Sequence, residues 1–319
     1  MTTNVDGWFL LPRLRIQNAN AISGPFSWGF PPPSAFTGFV HALSRQAPDL
    51  DDEPVALEGV GIVCHAFEPQ IADGYVKSFS LTRNPVDQHG SPTPFVEEGR
   101  AHLEVSLLIG VRGEGIAGAN EEELTELTTA LADLLQIQRL AGGTVLPIAA
   151  KDKPELIQAR STEKRLKKLK RRLMPGFALV ERSDRLHQQL LELQQTSPEA
   201  TSLDALLDAC ALHWDCLVEE AEAEKQQVDW RIRPRAGWLV PLPVGYRAIS
   251  PLHAAGEVLN ARDNETPFRF VESLYSLGEW VSPHRIERLE QLLWHHEAEP
   301  ETGIYRCINH CTFKEIDHV

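Results

Sequence analysis

Alternation of apolar and polar residues predicts strands and helices in a definite order through the first 150 residues. Residues 8–16 are predicted to form a strand with different residues on its two sides: Leu10, Pro12, Leu14 and Ile16 on one, and Leu11, Arg13, Arg15 and Gln17 on the other. A Gly- and Pro-rich loop follows at Ser23–Pro33. Apolar residues then recur at the spacing of a helix face, at Phe36, Phe39, Val40 and Leu43.

Further strands are predicted at Gly59–Phe67, Val76–Leu81 and Ala101–Val111, of which the last alternates most clearly. Glu121–Leu140 carries leucines at helical spacing, and Gly142-Gly143 is predicted to stop this helix. Thr144–Ile148 is predicted to be a short final strand. The overall order, strand-helix-strand-strand-helix-strand, is that of an α+β, ferredoxin-like or RRM-like βαββαβ core. Many RNA-recognition domains use this order, but so do many unrelated proteins.

The remaining residues predict two more segments after a core at residues 1–150. Residues 151–230 predict a basic and acidic helical insertion, with helices that begin at Thr162, Ser183 and Ser202. Residues 231–319 predict a helix-rich C-terminal part that packs back on the core, with one strand at Gly237–Pro243. Its two helices are predicted to begin at Thr266-Pro267 and Ser282-Pro283.

Charge is distributed unevenly along the 319 residues, whose net charge is −14. This sum argues against a general nucleic-acid binder, but the distribution matters more than the sum. Acid is concentrated at residues 49–58, 121–133 and 199–229, whereas residues 151–182 carry eleven Lys/Arg against four Asp/Glu. A chain polarised in this way can hold a nucleic acid on one surface while its acidic surfaces meet other partners or water.

Cysteine usage and hydropathy favour a cytoplasmic protein without a metal or cofactor. The sequence contains no apolar stretch of membrane-spanning length and no readable secretory leader. Two groups, Cys210/His213/Cys216 and Cys307/His310/Cys311, combine potential zinc ligands. Neither has the C-x2-C spacing of a zinc knuckle, so reduced thiols and surface histidines are the favoured interpretation.

Several ordered sequence blocks closely resemble one family. They are LPRLRIQNANAIS from Leu11, FTGFVHAL from Phe36, GVGIVCH from Gly59, LTRNP from Leu81, EEGRAHLEVSL from Glu97, RLAGGTVLP from Arg139, and then WLVPLPVGY, NARDNETPFRFVE and LGEWVSPHR. The family is the second subunit of the Csy complex, the type I-F CRISPR surveillance machine, in the Cas-five branch of the repeat-associated RNA-binding superfamily. The resemblance runs from about Leu10 to Tyr305 and is weakest over residues 151–228.

The resemblance implies a non-catalytic subunit for antiviral defence. It implies binding of the 5′ handle of the CRISPR RNA (crRNA), a heterodimer with the large subunit, and contact with the terminal backbone subunit. Target DNA near the flanking motif is a further implied partner, since base pairing reads the target sequence while protein reads shape and the motif. No membrane partner is implied.

RNA contact is first expected along the predicted N-terminal strand and its loop. Arg13 and Arg15 lie on one predicted strand side, as a sheet-borne RNA platform requires, unless they form surface ion pairs. Asn18 and Asn20 offer donors and acceptors to a base edge, unless they bond their own backbone in turns. Trp28 and its neighbours Phe26 and Phe30 could stack on bases or anchor the Pro-rich loop in the core.

Further candidates lie in other family blocks. Arg139, Gly142 and Gly143 precede the predicted last strand, where the superfamily commonly places a glycine-rich loop against RNA; the alternative is an ordinary helix C-cap. Arg83, Asn84 and Arg100 are polar members of matching blocks. The basic helix carries seven cations in nine positions, namely Lys164, Arg165, Lys167, Lys168, Lys170, Arg171 and Arg172. Because such like charges repel each other, this helix predicts an anionic partner, RNA or DNA, over a merely solvated surface.

Two rival functions stay open from the sequence. The first is a metal-independent endoribonuclease that processes CRISPR repeat RNA, for which His41 and His102 are the candidate acid–base groups. The second is a protein-interaction module that barely touches RNA and binds through its acidic surfaces. No acid–base pair stands out in the sequence, which favours a protein that is not an enzyme.

Overall fold

The computed structural model describes residues 5–83, 85–219, 227–235 and 237–311, and side chains are described for most of these. The α-helices in this part of the chain are α1 (Pro33–Ser44), α2 (Glu114–Gly118), α3 (Glu121–Leu134), α4 (Glu163–Arg172), α5 (Ser183–Thr196) and α6 (Ser202–Cys210). Short 3-10 helices lie at Leu135–Ile137, Pro283–Arg285 and Leu289–Leu292. A membrane-spanning helix is not found among the described residues, where every helix is too short or too polar to serve as one.

The strands of the described residues are β1 (Gly7–Asn20), β2 (Ile22–Gly24), β3 (Ser27–Trp28), β4 (Ala56–Pro69), β5 (Ile71–Ala72), β6 (Ser78–Phe79), β7 (Leu81–Arg83), β8 (Phe95–Glu97), β9 (Arg100–Arg112), β10 (Arg139–Leu140), β11 (Gly143–Val145), β12 (Glu155–Gln158), β13 (Phe177–Glu181), β14 (Trp214–Glu219), β15 (Gln227–Ile232), β16 (Trp238–Ala248), β17 (Val271–Val281), β18 (Leu293–Glu299) and β19 (Ile304–Asn309). Four pairs of short strands form separate hairpins: β2–β3, β5–β6, β7–β8 and β14–β15. The others join one large antiparallel sheet.

This large sheet has the order β10-β11-β1-β9-β4-β13-β17-β16-β19-β18, and β12 also pairs with β1. The strand β18 pairs in addition with β4, at Leu293↔Gly61 and Trp294↔Val60. The pairings β4-β13-β17-β16-β19-β18-β4 therefore close into a ring of six strands. Strands from residues before 150, between 151 and 230, and after 231 all contribute to this sheet; the predicted segment boundaries stay predictions.

Apolar side chains cover both faces of the sheet, which explains its long buried strands. On one face, α1 and α3 pack Phe36, Phe39 and Leu127 against Leu11 and Ile16 of β1. On the other face, a second cluster brings the leucines of α4 and the C-terminal 3-10 segments onto β1 and β9, and its members include Trp8, Leu10, Leu108, Leu169, Leu173, Ile286 and Leu292.

Within the first 150 residues, the predicted strands at residues 8–16, 59–67 and 101–111 are confirmed as parts of β1, β4 and β9. The helix with Phe36 and Leu43 is confirmed as α1, and α3 begins at the predicted residue. However, α3 ends at Leu134, and Arg139–Leu140 pair with Gly143–Val145 in a hairpin. Gly142-Gly143 therefore belongs to a hairpin turn, and its interpretation as a helix C-cap is wrong.

The predicted helix-rich C-terminal part is wrong for the described residues 237–311. The stretch after Thr266-Pro267 leads into β17, which pairs with β16 along its length and with β13 at its end. Its successive residues Ser276–Glu279 are all buried, so its apolar residues do not simply alternate with polar ones. After Ser282-Pro283 come two 3-10 turns and β18. Ile286, Leu289 and Leu292 are buried as predicted, but their spacing of three also fits 3-10 turns.

The segment 151–230 is also less helical than predicted. It contains α4, α5 and α6, but β12, β13, β14 and the start of β15 lie in it as well. Strands β12 and β13 are short apolar runs that pair with β1 and β4 in the large sheet. Such short runs cannot be told from helical ones by periodicity alone.

Candidate nucleic-acid interface

Two irregularities in β1 decide which of its side chains reach the polar face of the sheet. The register with β9 shifts between Leu11 and Leu14 and again between Ile16 and Ala19. Arg13 and Asn18 occupy these bulges with φ of 47° and 57°. The first bulge places Leu11, Leu14 and Ile16 in the same core. The predicted grouping of Leu10 with Leu14 is therefore wrong, because one extra residue reverses the alternation.

Beyond the first bulge, one face of β1, β9 and β4 is open. Arg15 lies directly opposite Glu104, and His102 lies opposite Glu68 of β4, so these side chains share that face. Arg15 is exposed. The backbone N–H of Asn18 donates to Nδ1 of His102 over 3.2 Å, which links the second bulge to the same face.

The covered half of this face is separated from the open half by the turn Met174-Pro175, which follows α4. Arg13 Nη1 lies 2.5 Å from Glu104 Oε1, and its Nη2 lies 3.4 Å and 3.5 Å from the carbonyl oxygens of Met174 and Pro175. The guanidinium of Arg13 is therefore bonded within the protein, as expected from the alternative prediction that Arg13 forms an ion pair.

Three polar groups under this turn form a continuous hydrogen-bonded chain. The N–H of Arg13 donates to Ser106 Oγ over 2.9 Å, and Ser106 Oγ lies 2.6 Å from His65 Nε2. His65 Nδ1 lies 2.5 Å from the carbonyl oxygen of Pro175. Because a carbonyl only accepts, Nδ1 carries the proton and Nε2 accepts from the hydroxyl of Ser106. Burial lowers the pKa of His65, which favours this neutral form.

The loop after the second bulge lies against the hairpin turn between β10 and β11. Asn20 donates to the carbonyl of Ile22 and accepts from its N–H, so its side chain is used in a local turn. The backbone N–H of Asn20 donates to the carbonyl of Ala141 over 2.8 Å. Ala141 and Gly142 both have positive φ, 50° and 74°, as a two-residue type I′ hairpin turn requires.

The two glycines of this turn differ in what surrounds them. A Cβ on Gly143 would lie 2.7–2.8 Å from Ile16 Cγ2, the carbonyl oxygen of Gln17 and the N of Ala19, so close packing requires a glycine there. Gly142 has open space on its Cα. Of the pair, Gly142 is thus the position where a phosphate could approach the backbone. Arg139, on the adjacent strand, is exposed.

The three aromatic residues of the Pro-rich loop have different environments. Phe30 stacks on Phe36 at 5.5 Å and packs edge-on against Trp280 at 4.9 Å, so it anchors the loop to the core. Trp28 is 52% exposed beside Phe79, and Phe26 is 91% exposed near Tyr275. Trp28 and Phe26 therefore remain available for stacking, whereas Phe30 does not.

Of the remaining candidates from the sequence blocks, Arg100 lies opposite Asn20 at the end of β1. Arg100 is ion-paired with Glu98: its Nη2 and Nε both donate to Glu98 Oε2, over 2.8 Å and 3.1 Å. Arg83 ends β7, but its side chain lies outside the described part of the structure, as does Asn84 altogether.

The basic helix α4 uses one side for packing and internal contacts. Thr162 caps its N-terminus, and Leu169 and Leu173 are buried in the second core cluster. Lys170 Nζ donates to the carbonyls of Ile286 and His284, and burial lowers its pKa. The other two engaged cations are ion-paired: Arg172 with Glu155 at 2.7 Å, and Arg165 with Glu121 at 3.5 Å.

The opposite side of α4 is a cationic face exposed to solvent. Lys164, Lys167, Lys168 and Arg171 recur at i, i+3, i+4 and i+7 and are all exposed. Lys167 pairs with Glu163 over 2.5 Å, and the described residues offer the other three no ion pair. Of the seven predicted cations, these four can meet an external anion. Because α4 leads into Met174-Pro175, which contact Arg13 and His65, the C-terminal end of α4 lies at the boundary of the open face of the sheet.

A separate cavity of about 350 Å³ lies between α1, β4 and β18 and is lined in part by His41, His295 and His296. The rings of His41 and His296 meet edge to face, 6.0 Å apart. Burial and nearby His310 lower the pKa of His295.

Among the described residues, no group of three or more His, Cys, Asp or Glu could hold a metal ion. Burial raises the pKa of Cys210 to about 11 and of Cys311 to about 12.

Sequence reasoning missed His65, Glu104 and Ser106 as parts of the interface. Ser106 and Glu104 alternate with apolar residues in EEGRAHLEVSL, so their position on the polar side of β9 was readable. The contact of His65 with Pro175 was not readable, because 110 residues separate the two in the sequence.

Comparisons with known proteins identify the family. A sequence profile of the family described as "CRISPR-associated protein (Cas_Csy2)" matches residues 9–307. The chain is also similar to the curated "CRISPR-associated protein Csy2" of Pseudomonas aeruginosa (strain UCBPP-PA14), with 52% identity over 318 residues and coverage of 95% of each chain. Both matches span nearly the whole sequence. The chain therefore belongs to the Csy2 family of CRISPR-associated proteins and is a subunit of the type I-F CRISPR Csy complex.

Proposed function

We propose that this chain is a non-catalytic subunit that binds the 5′ handle of the crRNA on the open face of β1, β9 and β4. The observation that carries the proposal is that α4, whose outer side is an exposed row of cations, ends at the boundary of that open face. Arg15 and His102 would contact bases or phosphates of the RNA, and a phosphate would approach the backbone at Gly142. The cations Lys164, Lys168 and Arg171 would neutralise further phosphates of the RNA.

The strand order supports a ferredoxin-like core for this platform. The strands β11-β1-β9-β4 are adjacent and antiparallel, and α1 and α3 both pack on one face of them. In such split βαβ folds the helices lie on one face. Here α4 and the C-terminal 3-10 segments cover part of the other face, and the part beyond the first bulge of β1 is open. RNA-recognition domains use the face opposite the helices for single-stranded RNA.

The partners we propose are the large subunit, as a heterodimer, and the terminal backbone subunit. Target DNA near the flanking motif is a further proposed ligand of the cationic face. Family membership supports these assignments through the complex in which the chain takes part. In this arrangement the chain caps the end of the backbone filament.

Photocrosslinking tests the proposal directly. Csy complex assembled on a guide RNA with 4-thiouridine in the handle should label peptides that contain residues 7–20, 139–145 or 163–176. A guide with the same label placed in the middle of the spacer serves as the control and should leave these peptides unlabelled. If handle positions label other subunits and never this chain, the proposal is wrong.

The histidine cavity favours a second candidate function, a metal-independent endoribonuclease of repeat RNA. Two facing imidazoles, here His41 and His296, are suited to paired acid and base roles at a 2′-OH. The purified chain should be incubated with repeat RNA in the presence of EDTA. If the chain is non-catalytic, the RNA should stay intact. Cleavage that is lost in both His41→Ala and His296→Ala would instead support the endoribonuclease.

A further inference from the structure

Glu68 carries a carboxylate onto the open face of the sheet. On β4, Ala66 lies opposite Glu104 and Glu68 lies opposite His102, so these four side chains share the open face. Ala66 and Glu68 are exposed, whereas Phe67 between them packs against the core on the other face. The small side chain of Ala66 leaves room beside Glu68 for a ligand that lies on the sheet.

The carboxylate of Glu68 favours a base over a phosphate at this point of the face. Glu104 is ion-paired with Arg13 at 2.5 Å, whereas the described residues give Glu68 no ion pair. A phosphate beside such a carboxylate would be repelled, because the two charges have the same sign. A base edge with N–H donors would be attracted, since an ionised carboxylate accepts hydrogen bonds. A bound RNA can therefore place a phosphate at the exposed Arg15 and a base at Glu68.

His102 presents a defined hydrogen-bond donor beside Glu68. The backbone N–H of Asn18 donates to Nδ1 of His102 over 3.2 Å, so Nδ1 is the accepting nitrogen. In a neutral imidazole the proton then lies on Nε2, and this N–H is a donor. The second bulge of β1, which contains Asn18, thereby fixes the tautomer of His102. Glu68 and His102 together offer an acceptor group next to a donor.

We infer that Glu68 and His102 select a guanine of the bound RNA. The Watson–Crick edge of guanine carries two adjacent donors, N1–H and the N2 amino group, and one acceptor, O6. The carboxylate of Glu68 accepts from both donors, and Nε2–H of His102 donates to O6. On the same edge, adenine and cytosine offer a carboxylate their exocyclic amino group alone, and uracil offers N3–H alone. The inference rests on the proposed function and deepens it by naming the base that the open face recognises.

The test compares short RNA strands that differ in a single base. The full-length chain is titrated with fluorescein-labelled strands of uridine in which the central base is uracil, guanine, adenine or cytosine, and anisotropy gives each Kd. The guanine strand should bind about tenfold more tightly than the others, as expected of a bidentate contact to a base edge. Inosine, which lacks the N2 amino group, should lose most of this preference. The analogue 7-deazaguanine, which is altered on a different edge, should keep it.

Substitutions at the two residues assign the preference to them. Glu68→Gln should reduce the guanine preference to less than about threefold, because an amide cannot accept from both donors. Glu126→Gln, at an exposed position of α3, removes the same charge elsewhere and should leave the preference unchanged. His102→Gln keeps an N–H donor and should retain most of the preference, whereas His102→Leu should lower it about threefold.

The outcomes separate this inference from the proposed function. If the wild-type chain binds all four strands with the same Kd, RNA binding stands and the inference is overturned. A guanine preference that survives in Glu68→Gln would also overturn it, because another part of the chain would then read the base. Equal loss of affinity for every strand in Glu68→Gln would show a structural role for Glu68 and likewise overturn the inference. If the wild-type chain binds none of the strands, the proposed function fails and the inference falls with it.

Discussion

His65 Nδ1 lies 2.5 Å from the carbonyl oxygen of Pro175, and this contact joins strand β4 to the turn that ends the basic helix. The ring reaches it only because β4 places His65 beside Ser106 on the polar face of the sheet. The contact thereby fixes the end of α4 relative to the open face, which our proposal makes the RNA platform.

Substitution of His65 should destabilise the fold and loosen this junction. His65→Ala leaves the buried hydroxyl of Ser106 without its acceptor, so we expect a loss of about 1–3 kcal/mol in the free energy of unfolding. Urea denaturation measures it. His187→Ala, at an exposed site, should change stability by less than about 0.5 kcal/mol. Equal effects of the two variants would contradict the role of the network.

The same histidine should make stability depend on pH. Because burial lowers its pKa in the folded state, the unfolded chain takes up the proton first as pH falls. Stability should therefore fall as pH drops below the ordinary histidine pKa of about 6.5, and it should be fully present above that value. His65→Asn should flatten this slope in part only, since the pKa of His295 is lowered too. An unaltered slope would show that His65 does not titrate between the two states.

Charge reversal on the outer side of α4 should weaken RNA binding and its salt dependence. In Lys164→Glu/Lys168→Glu/Arg171→Glu, each lost phosphate contact with a single strand should reduce the slope of log K against log salt by about 0.7. Fluorescence anisotropy with handle RNA at several salt concentrations measures the slope. A salt slope equal to that of the wild type would show that these cations of α4 do not contact the RNA.

An engaged cation of the same helix provides the comparison. Arg172→Gln breaks the ion pair with Glu155, in which both side chains are about three-quarters buried. We expect it to lower thermal stability while the salt slope stays unchanged. A large change in slope with this variant would mean that the division of α4 into an engaged and a free side is wrong.

The glycines at the β10–β11 turn should separate packing from RNA contact. Gly143→Ala should cost about 1–3 kcal/mol of stability, because its Cβ meets the backbone of β1. Gly142→Asn should be nearly neutral for folding, since Asn tolerates positive φ and space is open there. If RNA approaches Gly142, Gly142→Asn should lower handle affinity while the melting temperature stays constant. Wild-type affinity in this variant would exclude the turn from the RNA site.

A buried ion pair between Arg182 and Glu279 should be among the most sensitive polar contacts. Glu279 is 1% exposed and its carboxylate bonds the guanidinium of Arg182, which also pairs with Asp184 at 2.9 Å. Glu279→Ala should cost about 3–5 kcal/mol, because it removes the buried carboxylate partner of the buried Arg182 guanidinium, and Asp184, which also pairs with it, is exposed. Glu297→Ala breaks the exposed pair with Arg306 and should cost under about 1 kcal/mol. Similar melting temperatures for both variants would contradict this ranking.

Sequence patterns predicted the parts of the fold that obey a single periodicity. Helices α1 and α3 each bury one side, and β9 alternates in burial from Arg100 to Val105, so these elements were located, as was β4, although α3 ends earlier than predicted. β1 was located but its sides were misassigned, because the bulges at Arg13 and Asn18 leave no mark in an alternation of apolar residues. β17 was mistaken for a helix since its successive residues Ser276–Glu279 are all buried, which removes the alternation typical of a strand.

The candidate site divides along similar lines. The sequence pattern of α4 identified its cations. Only the folded chain shows that Lys170 donates to the carbonyl of Ile286 and that Arg172 is ion-paired with Glu155. Likewise, Arg13 was correctly placed near the polar face, yet its partner at Met174 is 161 residues away in sequence. Contacts at such separations depend on the topology of the sheet, which local patterns do not encode.

The ring of six strands has a consequence for how the chain is made. One edge of β4 is completed by β13 and by β18, whose residues are translated more than 100 and more than 220 positions later. A nascent chain that has emerged from the ribosome only through β9 therefore presents an unpaired edge of β4, with which other chains can pair. The ring closes only when the last strands leave the exit tunnel, so premature termination near residue 290 yields a product with an open sheet instead of a shortened native subunit.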